Sequence, residues 1–487
     1  MYTKRYHKMS GALRNGGRLA IPELNLFQRP DIQDAIEKEY EVEYRPSEQI
    51  TDDKAPIIFN IPRQSRDFTD LRNSRLKMKL RMKHADGTKL EMREEAAVIN
   101  LIHQTAWSQI DVTINGTPVS SNTRLFPYKA FFKTLTRSNG ISDEAFMKSM
   151  GWVPPYNDTD EIVDVSYEAS KKRCANSRMI ELEGPLLEDI FESQRYLLNG
   201  IDMQIKLHRS LMSFMLVQHF NQEKTDVEIK VLEDKKKSAL ETFLADIHNV
   251  VKEDAAEAAA IAYNIAQGVK KGYKIELVDI VMKMAYVRIY PAVIQAIQET
   301  IELSPALYPF TKTELKTVSI PTGQQQVYFD TVFNGVRPSK MLMGFVSSEA
   351  MNGTITTNPL DFKSYYVSDI SLMVDGSLIQ PKKFTYNMTD ITDISDFTGA
   401  YTDYMKMVQR SGYGTPNISP EQFARNPLFA FSLEPGGHGE FHNQAMKGPI
   451  AIIVHFDRPL SQSVNLVLYA EMPGLMQVDA ARNVAVN

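Results

Sequence analysis

Two stretches 260 positions apart spell the same local structure. Ile110-Asp111-Val112-Thr113-Ile114 alternates apolar and polar residues and stops at Asn115-Gly116, and Ile370-Ser371-Leu372-Met373-Val374 repeats the pattern and stops at Asp375-Gly376. A period of two turns one side of a strand toward a core, and Asn-Gly or Asp-Gly supplies the positive φ that a two-residue hairpin needs. Asn115, Gly116, Asp375 and Gly376 therefore read as structural turn positions. A chain that repeats itself at this distance is constrained toward two related units.

Three further pairs keep the same order. Phe59-Asn60-Ile61-Pro62 matches Val318-Ser319-Ile320-Pro321 at an offset of 259. Ser74, Leu76, Met78 and Leu80 match Ser339, Met341, Met343 and Phe345 at 265, and Ile201, Met203, Ile205 and Leu207 match Val464, Leu466, Leu468 and Ala470 at 263. Four collinear pairs predict two copies of one all-β unit, and 487 residues hold two domains of about 200 residues each.

Charge and cysteine usage remove several classes of function. The formal net charge is −5, so the molecule is not a polycation that coats nucleic acid, and any such contact must be local. Cys174 is the single cysteine, which forbids an intramolecular disulfide and suits a reducing compartment. We expect no secretory signal, because the N-terminus lacks an apolar core before a small-residue site, and the longest apolar runs fall far short of the ~20 residues that span a bilayer. The sequons at Asn115 and Asn352 then read as turns rather than glycosylation sites.

Residues 1–22 carry Lys4, Arg5, Lys8, Arg14 and Arg18 with no acidic residue before Glu23. The run suits a solvated tail, and equally an arm that reaches a polyanion, a membrane surface or a neighbouring subunit. A short amphipathic helix is expected next, with Pro30 at its start and Ile32, Ala35, Ile36 and Tyr40 at helical spacing. Short strands follow from about residue 56 to 217, interrupted by one helix in which Tyr128, Phe131, Phe132 and Leu135 share a face behind Pro127. Between the repeats, residues 235–271 place Leu240, Phe243, Leu244, Ile247, Val250 and Val251 at helical spacing and then become alanine-rich. This predicts one helix of roughly 50 Å or two shorter ones, laid against a sandwich or displayed on an assembly. Strand patterns resume at 273–289 and run to the end, with a helix-like break from Pro291 to Leu303. The expected division is an arm and short helix at 1–50, a first unit at 51–232, a helical insertion at 233–272 and a second unit at 273–487.

No motif for catalysis emerges. There is no phosphate-cradling Gly-x-x-x-x-Gly-Lys-Ser/Thr, no Gly-x-Ser-x-Gly elbow and no cysteine pair for zinc. His438, Glu440 and His442 have a faint metal-ligand look, but they lie in a glycine-rich loop that reads as solvated. No catalytic, cofactor-binding or metal residue is expected.

The chain resembles the double jelly-roll major capsid proteins of the Polinton (Maverick) and adintovirus group. The likeness is carried by residues 108–118 with Phe126-Pro127-Tyr128-Lys129-Ala130, and by Glu192-Ser193-Gln194-Arg195-Tyr196-Leu197-Leu198-Asn199. In the second half it is carried by Met351-Asn352-Gly353, residues 357–363, the 369–376 strand and turn, Leu468-Tyr469-Ala470-Glu471 and Arg482-Asn483-Val484. The resemblance implies two tandem eight-stranded jelly rolls with the helical insertion between them. It implies a homotrimer whose six rolls tile a pseudo-hexagonal place in an icosahedral DNA-virus shell, as a virion structural protein made and assembled in the host cell. Its implied partners are neighbouring capsomers and penton and minor capsid proteins, with the basic N-terminal arm turned to the interior, toward genome or an inner membrane. Two other readings stand beside it. A minor or vertex capsid protein would ordinarily need one roll, and a two-domain β-sandwich carbohydrate-binding or glycan-processing protein would be expected to carry a secretory signal or a metal or carboxylate site.

Overall fold

The computed structural model describes residues 33–48, 50, 55–91, 94, 96–121, 123–136, 147–153, 165–218, 272–333, 335–384, 394–409, 418–433 and 447–486. Within the first half run β1 (Ile36–Tyr44), β2 (Ile57–Ile61), β3 (Asp67–His84), β4 (Ala96–Val98), β5 (Trp107–Ile114), β6 (Thr117–Pro118), β7 (Ile180–Gly184), β8 (Met203–Arg209), β9 (Leu216–Gln218) and β10 (Tyr273–Ile289). The second half supplies β11 (Ala306–Ile320), β12 (Gln326–Phe333), β13 (Lys340–Ser347), β14 (Val367–Val374), β15 (Ser377–Lys383), β16 (Phe429–Ser432), β17 (Ile450–Phe456), β18 (Val464–Val478) and β19 (Val484–Val486).

Sixteen of these strands make four antiparallel sheets. Sheet I is ordered β1-β10-β3-β7, sheet II β2-β8-β5-β6, sheet III β11-β18-β13-β16 and sheet IV β12-β17-β14-β15, with β19 added to β18. Counting the eight main strands of each half from one to eight, both halves read 1-8-3-6 in one sheet and 2-7-4-5 in the other. The protein is thus all-β, two jelly rolls of the same topology in tandem. The period-two patterns drive it. Leu76, Met78, Leu80 and Met82 of β3 face Phe59, Val112, Ile205 and Leu207 of sheet II across the first core, all at most 1% exposed. Met341, Met343 and Phe345 of β13 do the same against Ile370, Leu372, Ile452 and Val454 in the second.

The pairings correct three expectations. Residues 36–44 form a strand, not the end of a helix, because Tyr40-Glu41-Val42-Glu43-Tyr44 alternates and its partly buried members pack on β10. Residues 273–289 do not open the second roll: they run between β1 and β3 at the centre of sheet I. The segment 233–272, expected to be a helical insertion between the two rolls, is therefore followed by a strand of the first roll, and its residues 233–271 lie outside the described ones. The connection between rolls is the helix Pro291–Leu303. Strand pairing is non-local, so an alternating segment carries no label saying which sheet it enters. The helix Phe126–Thr136 agrees with the reading of residues 127–135.

Two of the four repeat pairs join equivalent strands, β5 with β14 and β3 with β13. The other two do not. Residues 59–62 leave β2, whose counterpart is β12, while 318–321 end β11; residues 201–207 enter β8, whose counterpart is β17, while 464–470 lie on β18, the counterpart of β10. The links between successive strands differ in length between the two rolls, so a constant offset slides onto the wrong strand.

Candidate assembly interface

The two rolls meet along an aromatic seam. Proline fixes the first turn of the helix Phe126–Thr136, and the helical period then turns Tyr128, Phe131 and Phe132 toward the second roll. Their rings surround Phe362, with centroids 6.1, 5.8 and 5.2 Å away, and Phe132 also lies 5.7 Å from Tyr469. Phe362 in turn covers Gly344 in the middle of β13, where a Cβ would sit 2.5 Å from its Cδ1. The glycine is what lets the ring lie flat on sheet III. None of these rings is more than 5% exposed, and each contributes ~1.5–3 kcal/mol on burial.

Beside the seam lies a knot of buried charge. Lys129 and Lys133 are one helical turn apart and so share a face. Lys129 Nζ reaches Glu188 Oε2 at 2.7 Å and Asp189 Oδ1 at 3.0 Å, and Lys133 Nζ reaches Asp189 Oδ1 at 2.8 Å and Glu192 Oε2 at 3.0 Å. The other oxygen of Asp189 accepts the Thr313 amide of β11 at 2.8 Å, so the knot ties the first roll to an edge strand of the second. Burial alone would raise the Asp189 carboxyl, but the two ammonium groups and the Thr313 N–H outweigh it and hold the group at about 2. Burial pushes Glu188 up, opposed by Lys129. Burial by itself would lower Lys133, yet Asp189 and Glu192 raise it well above the usual lysine range. Along the same edge, Arg195 Nη1 donates to Leu307 O at 2.6 Å and the Leu198 amide donates to Tyr308 Oη at 3.1 Å.

A third tie uses one of the turns read from the sequence. Asn115 and Gly116 have φ of 45° and 79°, and Asp375 and Gly376 have 49° and 78°. Asn115 Nδ2 donates to Arg482 O at 2.8 Å, while Arg482 donates from Nε to Asn199 O at 3.0 Å and from Nη2 to Asn199 Oδ1 at 3.1 Å. Thr117 Oγ1 adds a bond to Val484 O at 3.3 Å. The first turn thus receives the segment after β18, whereas Asp375 faces Arg337 at 4.0 Å within its own roll.

The basic residues Lys4, Arg5, Lys8, Arg14 and Arg18, and the trio His438, Glu440 and His442, lie outside the described residues. Among the described residues no group of three or more His, Cys, Asp or Glu gathers as a metal site would require, and no helix is long and apolar enough to cross a membrane. His103 is neutral and structural, pushed to about 4 by burial, with Nε2–H donating to Leu76 O at 2.8 Å and Nδ1 accepting from Gln104 Nε2 at 2.8 Å.

The seam and the knot were not anticipated, although one signal for the seam is present in the letters. On β3 the apolar residues alternate with Lys77, Lys79, Arg81 and Lys83, whereas β13 reads Met341-Leu342-Met343-Gly344-Phe345-Val346, apolar on both faces. Such a run marks a sheet covered on both sides. The knot had no comparable signal, because its carboxylates and lysines are 59 positions apart.

No family model matches the chain. A search of curated proteins finds the uncharacterized protein F54H12.2 of Caenorhabditis elegans, 20% identical over 393 residues, covering 80% of this chain and 81% of that protein. Solved structures of the same fold include VP54 of PBCV-1, fitted into a reconstruction of the virophage Sputnik (TM-score 0.54, 9% identity, 94% of this chain and 98% of that one). The Faustovirus major capsid protein aligns with a TM-score of 0.53 at 9% identity over 96% of each chain. The mavirus major capsid protein aligns at 0.50 and 9% over 96% of this chain and 93% of that one. These structural neighbours are capsid proteins, not enzymes.

Proposed function

We propose that this chain is a major capsid protein whose trimers serve as pseudo-hexagonal capsomers of an icosahedral DNA-virus shell, of the Polinton and adintovirus kind. The observation that carries the reading is the pair of topologically identical rolls fixed to one another by an apolar seam. Three chains of two like units fill a six-cornered place that a single-unit chain fills only as a hexamer. A rigid pair is what such a tile needs, since flexing between rolls would spoil the hexagon. The double jelly-roll likeness to solved capsid proteins supports it.

In this reading the rolls occupy residues 36–289 and 306–486, and the partners are further copies of the chain, neighbouring capsomers, and penton and minor capsid proteins. The protein resides in the virion after synthesis in the host cell. Lys4, Arg5, Lys8, Arg14 and Arg18 form an interior arm toward genome or an inner membrane, held by charge rather than by a folded site. No catalytic step is assigned to it.

Mass photometry of the purified chain, followed by negative-stain imaging, tests the proposal. Trimers that present a hexagonal outline are expected, and a monomer or pentamer under all conditions overturns it. Deleting residues 1–22 is expected to leave trimers intact while impairing closed shells or genome retention; loss of the trimer on that deletion refutes the role given to the arm.

A further inference from the structure

The first roll is completed from outside its own continuous stretch. Residues 36–218 supply every strand of sheets I and II except β10, which follows residues 219–271 and then lies between β1 and β3. Its register runs from Met282 to Ile289 against β1 and from Tyr273 to Arg288 against β3. Ile280, Met282, Met284 and Tyr286 are at most 1% exposed, so without β10 the roll has both a slot in its sheet and a hole in its core. Polar groups meet in the same slot: Arg288 donates to Asp67 from Nε at 2.7 Å and from Nη2 at 3.1 Å, the Ala285 amide donates to Ser74 Oγ at 3.1 Å, and Tyr286 Oη lies 2.9 Å from Tyr44 Oη.

The chain on either side of residues 219–271 is held at one corner. Up to Gln218 it is fixed by β9 on β4, by the Ile99 amide donating to Met215 O at 2.8 Å, and by the Gln218 amide donating to Ile355 O of the second roll at 2.6 Å. From Gly272 it is fixed again: the Ala85 amide donates to Gly272 O at 3.0 Å, and the Ile275 amide donates to Met212 Sδ at 3.2 Å. That last contact keeps Gln218 and Gly272 within roughly 35 Å of each other, a span that about ten extended residues cover. Residues 219–271 are several times that many, so their number is not set by the distance they join.

We propose that residues 272–486 bind residues 33–218 as a separable partner within the chain, with β10 seated in the slot between β1 and β3, and that the peptide link through residues 219–271 is dispensable for that union. The aromatic seam, the Asp189 knot and the tie from Asn115 to Arg482 all run between the same two pieces, so they add to the slot. A joint with an apolar core of this kind belongs with permanent interfaces. Cutting the link costs it only the effective concentration that the link supplied, of roughly millimolar order. This union is internal to one subunit and so is independent of the capsomer reading.

The test uses the full-length chain with a site-specific protease sequence inserted after Glu253 and cut once the protein has folded. Native mass spectrometry weighs the product, and hydrogen exchange reads the amides of residues 280–286. Expected are two pieces that stay together at roughly micromolar concentration with the mass of the uncut form, and β10 amides that exchange within about 10-fold of its rates. Met284→Ala separates the slot from the seam. Uncut, it should fold; once cut, its pieces should part roughly 30-fold more readily than those of the cut wild type. Wild-type pieces that separate on cutting, or β10 amides that exchange more than about 10-fold faster, overturn the proposal. Cut pieces of Met284→Ala that hold as tightly as wild type also overturn it, because the seam and not the slot would then be the joint. If Met284→Ala does not fold before cutting, the exchange of the cut wild type decides.

Discussion

Replacing Asp189 by asparagine keeps an oxygen for the Thr313 amide and removes only the charge. Two buried ammonium groups, Lys129 and Lys133, are then left with Glu188 and Glu192. The two ammonium groups hold the folded Asp189 carboxyl down at about 2 against an ordinary 3.8, a gap worth on the order of 2–3 kcal/mol. Because the folded value is the lower one, this stabilisation is complete well above pH 4, falls to about half at pH 3 and is lost as pH drops through about 2. Glu188 carries the opposite sign, since burial raises its carboxyl and acid relieves that cost. The expected result of Asp189→Asn is a loss on the order of 2–3 kcal/mol at neutral pH, reaching about 3–5 if the stranded ammonium groups find no water. Urea unfolding followed by the fluorescence of Trp107 and Trp152, both buried in the first roll, measures it at pH about 7 and about 3. The wild-type advantage is expected to shrink by about half at the lower pH. A variant within about 0.5 kcal/mol of wild type at neutral pH, or two curves that fall in parallel with acid, would refute the assignment of the knot as a charge-dependent tie.

Two further outcomes are expected. Arg482→Ala removes both bonds to Asn199 and should cost about 1–2 kcal/mol by urea midpoint; an unchanged midpoint would mean that the segment after β18 is held without the guanidinium, by β19 pairing and the bonds from Asn115 and Thr117. Cys174 is 0% exposed and burial pushes its thiol up to about 11, so a thiol reagent near neutral pH should label the native chain at least ~100-fold more slowly than the chain in urea, and comparable rates would show that this part of the core is open.

The architecture was legible where one face of a strand is buried and the other is wet. Ile110, Val112 and Ile114, and Leu76, Met78, Leu80 and Met82, announce both their strand and its inner face. Partner choice was not legible: Tyr273–Ile289 alternates equally well for either roll, and only its register with β1 and β3 assigns it. Ile32, Ala35, Ile36 and Tyr40 fit a period near four and so read as a helix, although Tyr40, Val42 and Tyr44 fit a period of two. Of the interface, the residues with a local signature, Asn115-Gly116 and the Phe126–Thr136 helix, were found as elements without their role. Phe362, Asp189 and Arg482 act through partners far along the chain, and although residues 357–363 and 482–484 stood out as segments, nothing in their neighbours marks what they touch.

The position of β10 sets a schedule for synthesis. Among the described residues it is the one strand that β1 pairs with, it separates β1 from β3, and it comes last in its roll. A nascent chain that has not yet passed Ile289 carries an N-terminal half with a gap in the middle of a sheet and two unsatisfied edges beside it. The second roll repeats the schedule, with β18 arriving last between β11 and β13. Each half is thus locked by its final strand, and a fragment cut near residue 232 would emerge as an open sheet in search of any strand to fill it.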